Sequence, residues 1–126
     1  MKSENLGFGH EGELAAAERA SERGYEVLGM NYRVVGGEID LILKSPDGVI
    51  VFAEVKSRAN VRYGYPEDAV TPAKKEHILR AAYQYLDENF PDEDVPWRID
   101  IMALIYDRDK TEIKDFRWYE NVTADD

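Results

Sequence analysis

The spacing of apolar and polar positions changes several times along the chain, and each change marks an element. From Glu11 to Arg23 alanines recur at helical spacing, with Ala16, Ala17 and Ala20 on one face and Gly24 as a stop signal. Tyr25 to Val35 reads as a strand with an irregular middle, broken by Gly36-Gly37. Glu38–Lys44 and Val49–Arg58 read as two strands around Ser45-Pro46-Asp47-Gly48, a hairpin signal. After a loop containing Gly64 and Pro66, Thr71-Pro72 opens a second helix with an N-cap residue and proline at the first helical position. Its apolar face is Ile78, Ala81, Ala82, Tyr85 and Leu86, to about Asn89. Trp97–Tyr106 and Ile113–Tyr119 are the last strands. The order αβββαββ predicts an α/β fold: a mixed central sheet of about five strands flanked by helices.

The hairpin decides which side chains face one another. Proline suits the second position of a type I turn, aspartate the third, and glycine the left-handed residue of a following bulge. The resulting three-residue loop sets Leu43 opposite Val51, Leu41 opposite Ala53 and Ile39 opposite Val55, a wholly apolar face. The other face then pairs Ile42 with Phe52, Asp40 with Glu54 and Glu38 with Lys56. Two carboxylates directly across a strand pair have Cβ atoms roughly 4.5–5.5 Å apart. At about 5 Å and an effective dielectric near 20 they repel by on the order of 3 kcal/mol if both are ionised. A shared proton, compensation by Lys56, or a divalent cation between the acids would offset this. With all-oxygen ligands, no cysteine and two histidines, magnesium or manganese suits the site better than zinc.

Glu13 shares the helix face of Ala16, Ala17 and Ala20 and so points towards the sheet. Alone, it reads as a helix-start acid complementing the dipole, and Asp40 alone as a strand-edge acid. Together with Glu54 and Lys56 they read as one site. Lys74 and Lys75 stand in the first turn of the second helix, where the dipole disfavours cations, and Lys74 leans towards the buried face. A phosphate contact and snorkelling past the core both account for Lys74. Arg58, Arg62, Tyr63 and Tyr65 lie on or near a loop, where they would either track and stack on nucleic acid or pin the loop. Arg98 and Asp100 share a strand face and are expected to pair. His10 and His77 have no zinc-like spacing and read as surface residues.

Composition narrows the classes. The 126 residues suit one domain, with its core at about 8–119 and an acidic, frayed tail at 120–126. A hydrophobic content of 44% with 33% charged residues is that of a globular protein, and the absence of cysteine excludes disulfide and thiolate-metal frameworks. The start MKSENLGFGHEGE has no apolar signal core and no run is long enough to span a bilayer, so a cytoplasmic protein without a membrane partner is expected. The net charge of −10 counts against nucleic acid, but Lys56 to Arg80 carries +3 and the remainder −13, a basic lip on an acidic body.

In combination, GHEGELAA, NYR, GGEIDLI, VFAEVKSR, the G-x-P-x-x-A-V of Gly64 to Val70, Lys74 and the R-x-D of Arg98 to Asp100 resemble the YraN-like family of small bacterial proteins, from about Phe8 to Ala103. That family belongs to the PD-(D/E)xK restriction-endonuclease-like superfamily and is similar in layout to archaeal Holliday-junction resolvases. Arg19-Ala20 stands where an aromatic-Leu pair is usual, and Ala53 where valine is usual. The resemblance implies a single-domain restriction-endonuclease-like fold, with Asp40 as the PD acid, Glu54 and Lys56 as (D/E)xK, and Glu13 as the helical acid. The expected activity is that of a metal-dependent endonuclease on DNA, branched or structured. Asp40, Glu54 and the Val55 carbonyl would hold magnesium (or manganese), Glu13 would complete the metal shell or position a second ion, and Lys56 would orient the attacking water or stabilise charge on the phosphate. Arg58, Arg62, Tyr65, Lys74 and Lys75 are the expected nucleic-acid contacts. A non-catalytic nucleic-acid-binding module on the same fold is the alternative. A homodimer through the C-terminal edge strands is a further expectation.

Overall fold

The computed structural model describes residues 2–59 and 71–122, with residues 2–8 by backbone alone. Seven elements follow the predicted order: α1 (Lys2–Glu22), β1 (Glu26–Val34), β2 (Gly37–Lys44), β3 (Ile50–Arg58), α2 (Pro72–Asn89), β4 (Trp97–Tyr106) and β5 (Ile113–Tyr119). α1 begins at Lys2 rather than near Glu11. No proline interrupts Lys2–His10, and Gly7 and Gly9 each oppose a helix by only about 1 kcal/mol. The expected loop residues Arg62, Tyr63, Gly64, Tyr65 and Pro66, and the tail beyond Val122, lie outside the described residues.

The five strands form one sheet in chain order, β1-β2-β3-β4-β5. Neighbours are antiparallel except β3 and β4, whose parallel pairing requires the crossover that α2 supplies. Ile50 to Ala53 in β3 and Ile99 to Tyr106 in β4 are buried without a break, as expected of strands covered on both faces. On one face Ala16 and Ala20 of α1 pack on Leu41, Leu43, Val51, Ala53, Met102 and Leu104. On the other, Ile78, Ala81 and Ala82 of α2 pack on Ile42, Ile50, Phe52 and Ile99. The Arg19-Ala20 position is filled: Ala20 is fully buried and the Arg19 guanidinium lies 5.0 Å from the Phe116 ring centroid. Thr71 caps α2, its Oγ1 accepting from the Lys74 N–H at 3.2 Å, with Pro72 as the first helical residue.

The three-residue loop holds. The Ser45 N–H donates to the Val49 carbonyl at 2.8 Å, Gly48 has φ 90°, and Leu41, Ile42 and Leu43 stand opposite Ala53, Phe52 and Val51. The expected face assignment fails at one place. Ile39 does not share the face of Leu41; it packs with Ile42 and Phe52 under α2. β1 changes face at the same level, with Met30 on the α1 side and Tyr32 on the α2 side. Between them Asn31 has φ 54°, a left-handed conformation that asparagine tolerates and that rotates the strand out of simple alternation. Asp40, between Ile39 and Leu41, is the residue at which β2 switches.

β2 also approaches α2 closely. A Cβ on Gly37 would lie 2.4 Å from the His77 carbonyl oxygen and 3.0 Å from the Ala81 nitrogen, both backbone atoms that cannot yield. Gly37→Ala is therefore expected to destabilise the protein by about 2–3 kcal/mol, read as a lower urea midpoint at unchanged m-value. An unchanged midpoint would show that the helix shifts at no cost.

Candidate functional site

The β2–β3 ladder runs only from Lys44–Ile50 to Leu41–Ala53. Beyond it a side chain takes over the backbone's role: Asp40 Oδ2 accepts the Val55 N–H at 2.8 Å. The expected cross-strand pairs Asp40–Glu54, Ile39–Val55 and Glu38–Lys56 are not part of the ladder, which has ended; Asp40 and Glu54 meet through their side chains. Glu38 instead faces Arg33 across β1, with its Oε2 3.1 Å from the Arg33 Nε.

The opening of the two strands exposes a cleft of about 510 Å³, lined by Glu13, Glu38, Asp40, Glu54, Lys56 and Lys74 among others. Asp40 and Glu54 thus converge from adjacent strands, with Lys56 on the same wall. Burial of Asp40, reinforced by the hydrogen bond and charge of Glu54, pushes its carboxyl up to about 7, against the opposing pull of the Val55 N–H and Lys56. Lys56 is held below the ordinary lysine range by burial and by Lys74 beside it. Lys74 reaches in from α2, its Nζ 3.7 Å from Glu54 Oε2. Its contact with Lys56 and the carboxylates of Glu54, Asp40 and Glu38 push it up, while burial opposes.

Glu13 stands on the wall provided by α1, with its side chain 17% exposed and 3.9 Å from the His10 Nδ1. Burial first, and Asp40's charge second, push its carboxyl up. Among the described residues no three His, Asp or Glu side chains crowd together tightly enough to cage an ion. Asp40 and Glu54 interact directly in the cleft, with Val55 beside them. This donor set fits magnesium, which is held by one or two carboxylates and keeps several waters, and it does not fit a closed zinc centre.

Arg58 is exposed at the rim and lines the cleft, as does Lys110 from the β4–β5 turn. Lys75 does not line it among the described residues, and Arg62 and Tyr65 lie outside them. His10 and His77 are exposed, as expected. Arg98 pairs with Asp100 at 3.0 Å, away from the cleft lining. Sequence reasoning missed Lys110, Gly12 and Asn31. A Cβ on Gly12 would lie 2.1 Å from Ser57 Oγ, so glycine lets α1 ride against β3 and hang Glu13 over the cleft. The Gly12, Ala16, Ala20 spacing was its visible signal.

The sheet, its two helices and the paired acids beside a lysine define a restriction-endonuclease-like α/β protein. Residues 12–104 match the family described as Uncharacterised protein family UPF0102. A UPF0102 protein of Chloroherpeton thalassium is 41% identical over 106 residues, covering 84% of this chain and 81% of its own. One from Deinococcus radiodurans is 38% identical over 108 residues, 83% and 88% of the two chains. One from Caldicellulosiruptor saccharolyticus is 35% identical over 114 residues, 90% and 94%. The chain belongs to the UPF0102, or YraN-like, family.

Proposed function

We propose that this protein is a metal-dependent endonuclease acting on DNA, with branched or structured DNA as the favoured substrate. The observation that carries the reading is the convergence of Asp40 and Glu54, from strands that part, beside Lys56 in one open cleft. Asp40, Glu54 and the Val55 carbonyl would hold magnesium or manganese. Bound there, the ion supplies Lewis-acid polarisation of the phosphodiester and a lowered pKa for the attacking water. The Val55 N–H fixes the Asp40 carboxylate, so its orientation needs no reorganisation when substrate arrives. Lys56, held by burial below its ordinary range, orients the water or stabilises charge at the phosphate. Glu13 completes the outer shell from α1.

The acidic body does not argue against this substrate. Lys56, Arg58, Lys74 and Lys110 balance the four acids of the cleft, so it is formally neutral on a chain of −10, and metal would make it cationic. No helix among the described residues is long and apolar enough to cross a membrane.

The test is cleavage of linear, flapped and four-way DNA with magnesium, manganese or EDTA. Cutting is expected with either ion and not with EDTA. Lys56→Ala is expected to lower the rate by about 10²–10³-fold while leaving manganese affinity within a few-fold of the wild type. Binding without cutting by the wild type would leave the non-catalytic binding module, and no binding at low salt would remove nucleic acid as the partner.

A further inference from the structure

Lys74 occupies a position that needs explaining. It lies in the first turn of α2, which has no acidic residue to complement the helix dipole, so a cation there is at a disadvantage unless an anion faces it. The anion is Glu54, which comes from β3 rather than from its own helix. Glu54's side chain is 9% exposed and Lys74's is 41%, so the carboxylate is fixed in the wall while the ammonium enters from the solvent side. Both residues also line a second hollow of about 240 Å³ with Thr71, His77 and Ile78, leaving open space beside the amine.

The carboxylate that Lys74 neutralises is one of the two acids of the proposed metal pair. An ammonium and a divalent cation compete for the same carboxylate oxygens, and each repels the other. The flexible four-carbon stem lets the amine withdraw without moving the Thr71 cap or the helix.

We propose that Lys74 is a built-in counter-ion for Glu54 in the metal-free protein, displaced on metal binding and taken up by a DNA phosphate. This rests on the proposed function and adds a coupling: metal frees the lysine for phosphate, and phosphate holds the lysine away from the metal ligands. By linkage, each raises the other's affinity. Lys74 thus acts on the metal through Glu54 and on DNA directly, and its substitution should act in opposite directions on the two ligands.

The experiment is calorimetric titration of manganese into the wild type, Lys74→Met and Lys74→Arg without DNA, followed by DNA binding at low salt. Lys74→Met is expected to bind manganese about two- to fivefold more tightly than the wild type, and DNA more weakly. Lys74→Arg, which keeps the charge, is expected to stay within about twofold of the wild type for manganese. Thermal denaturation of each variant verifies that it is folded. Wild-type binding with unchanged or weakened manganese affinity in Lys74→Met would overturn the counter-ion role and leave the proposed function standing. Absence of manganese binding by the wild type would overturn both.

Discussion

Asp40→Asn is expected to stabilise the metal-free protein at neutral pH by on the order of 2 kcal/mol, although it removes the centre of the proposed site. Burial and Glu54 raise the Asp40 carboxyl from 3.8 to about 7 in the folded chain. A raised carboxyl binds a proton in the folded state that the unfolded state has released. Its stabilising contribution is therefore complete below about pH 4 and is lost as the pH climbs towards about 7. Above that, the folded protein carries two opposed carboxylates, relieved in part by the Val55 N–H, Lys56 and Lys74. Asparagine keeps the shape and the acceptor for the Val55 N–H, and its amide can donate to Glu54. Thermal midpoints from pH 4 to pH 8 in EDTA should fall for the wild type and vary much less for Asp40→Asn. The variant should melt higher by on the order of 5 °C at neutral pH. A variant that melts lower at neutral pH would mean that the acid pair carries no strain.

The opposite outcome is expected at Asp100, a fully buried acid of the same sheet. It is fully buried and accepts from Arg98 Nε at 3.0 Å and 3.2 Å, Trp118 Nε1 at 2.8 Å and the Asn121 N–H at 2.9 Å. Arg98 also donates to the Tyr25 hydroxyl at 2.9 Å, so one carboxylate ties the entrance of β1 to β4 and the end of β5. Asp100→Ala would leave a guanidinium only 15% exposed with Glu120, an exposed acid 3.6 Å away, as its remaining carboxylate, and two further donors unsatisfied. The expected cost is about 3–5 kcal/mol, seen as a large fall in urea midpoint, with Asp100→Asn costing less. A loss below about 1 kcal/mol would show that water replaces the network easily. Asp100 and Asp40 thus contrast two uses of an acid in the sheet: the first, fully buried, is matched with donors, and the second, half-buried, is set against another acid.

Much of this was legible because turn chemistry and patterning agree. Ser45-Pro46-Asp47-Gly48 specified a three-residue loop, and that loop specified which residues of β2 and β3 oppose one another. The face switch was not legible. Ile39 is apolar on either side of the sheet, so hydrophobic pattern cannot tell which helix covers it, and the left-handed Asn31 that drives the switch carries no periodic signal. The β2–β3 pairing was likewise carried past its end: the ladder stops at Leu41 and Ala53, so Asp40 with Glu54, Ile39 with Val55 and Glu38 with Lys56 are not ladder pairs, and the Asp40 carboxylate takes the Val55 N–H instead. The pairing of Arg98 with Asp100 followed from their shared face within one strand. Trp118, Tyr25 and the Asn121 N–H joined the network through tertiary packing that no local pattern encodes. Lys74 was visible as a misplaced cation at a helix start, while its partner on β3 depended on where the crossover laid α2.

The central claim is that the Asp40–Glu54 pair is built to receive a divalent cation. Calorimetric titration of manganese into wild type and Asp40→Asn at about pH 8, above the range in which Asp40 holds its proton, addresses it most directly. One site is expected in the wild type, weakened at least about tenfold by Asp40→Asn, since half of the charged donor set is gone. Equal affinity in the two proteins, or no binding to either, would contradict it.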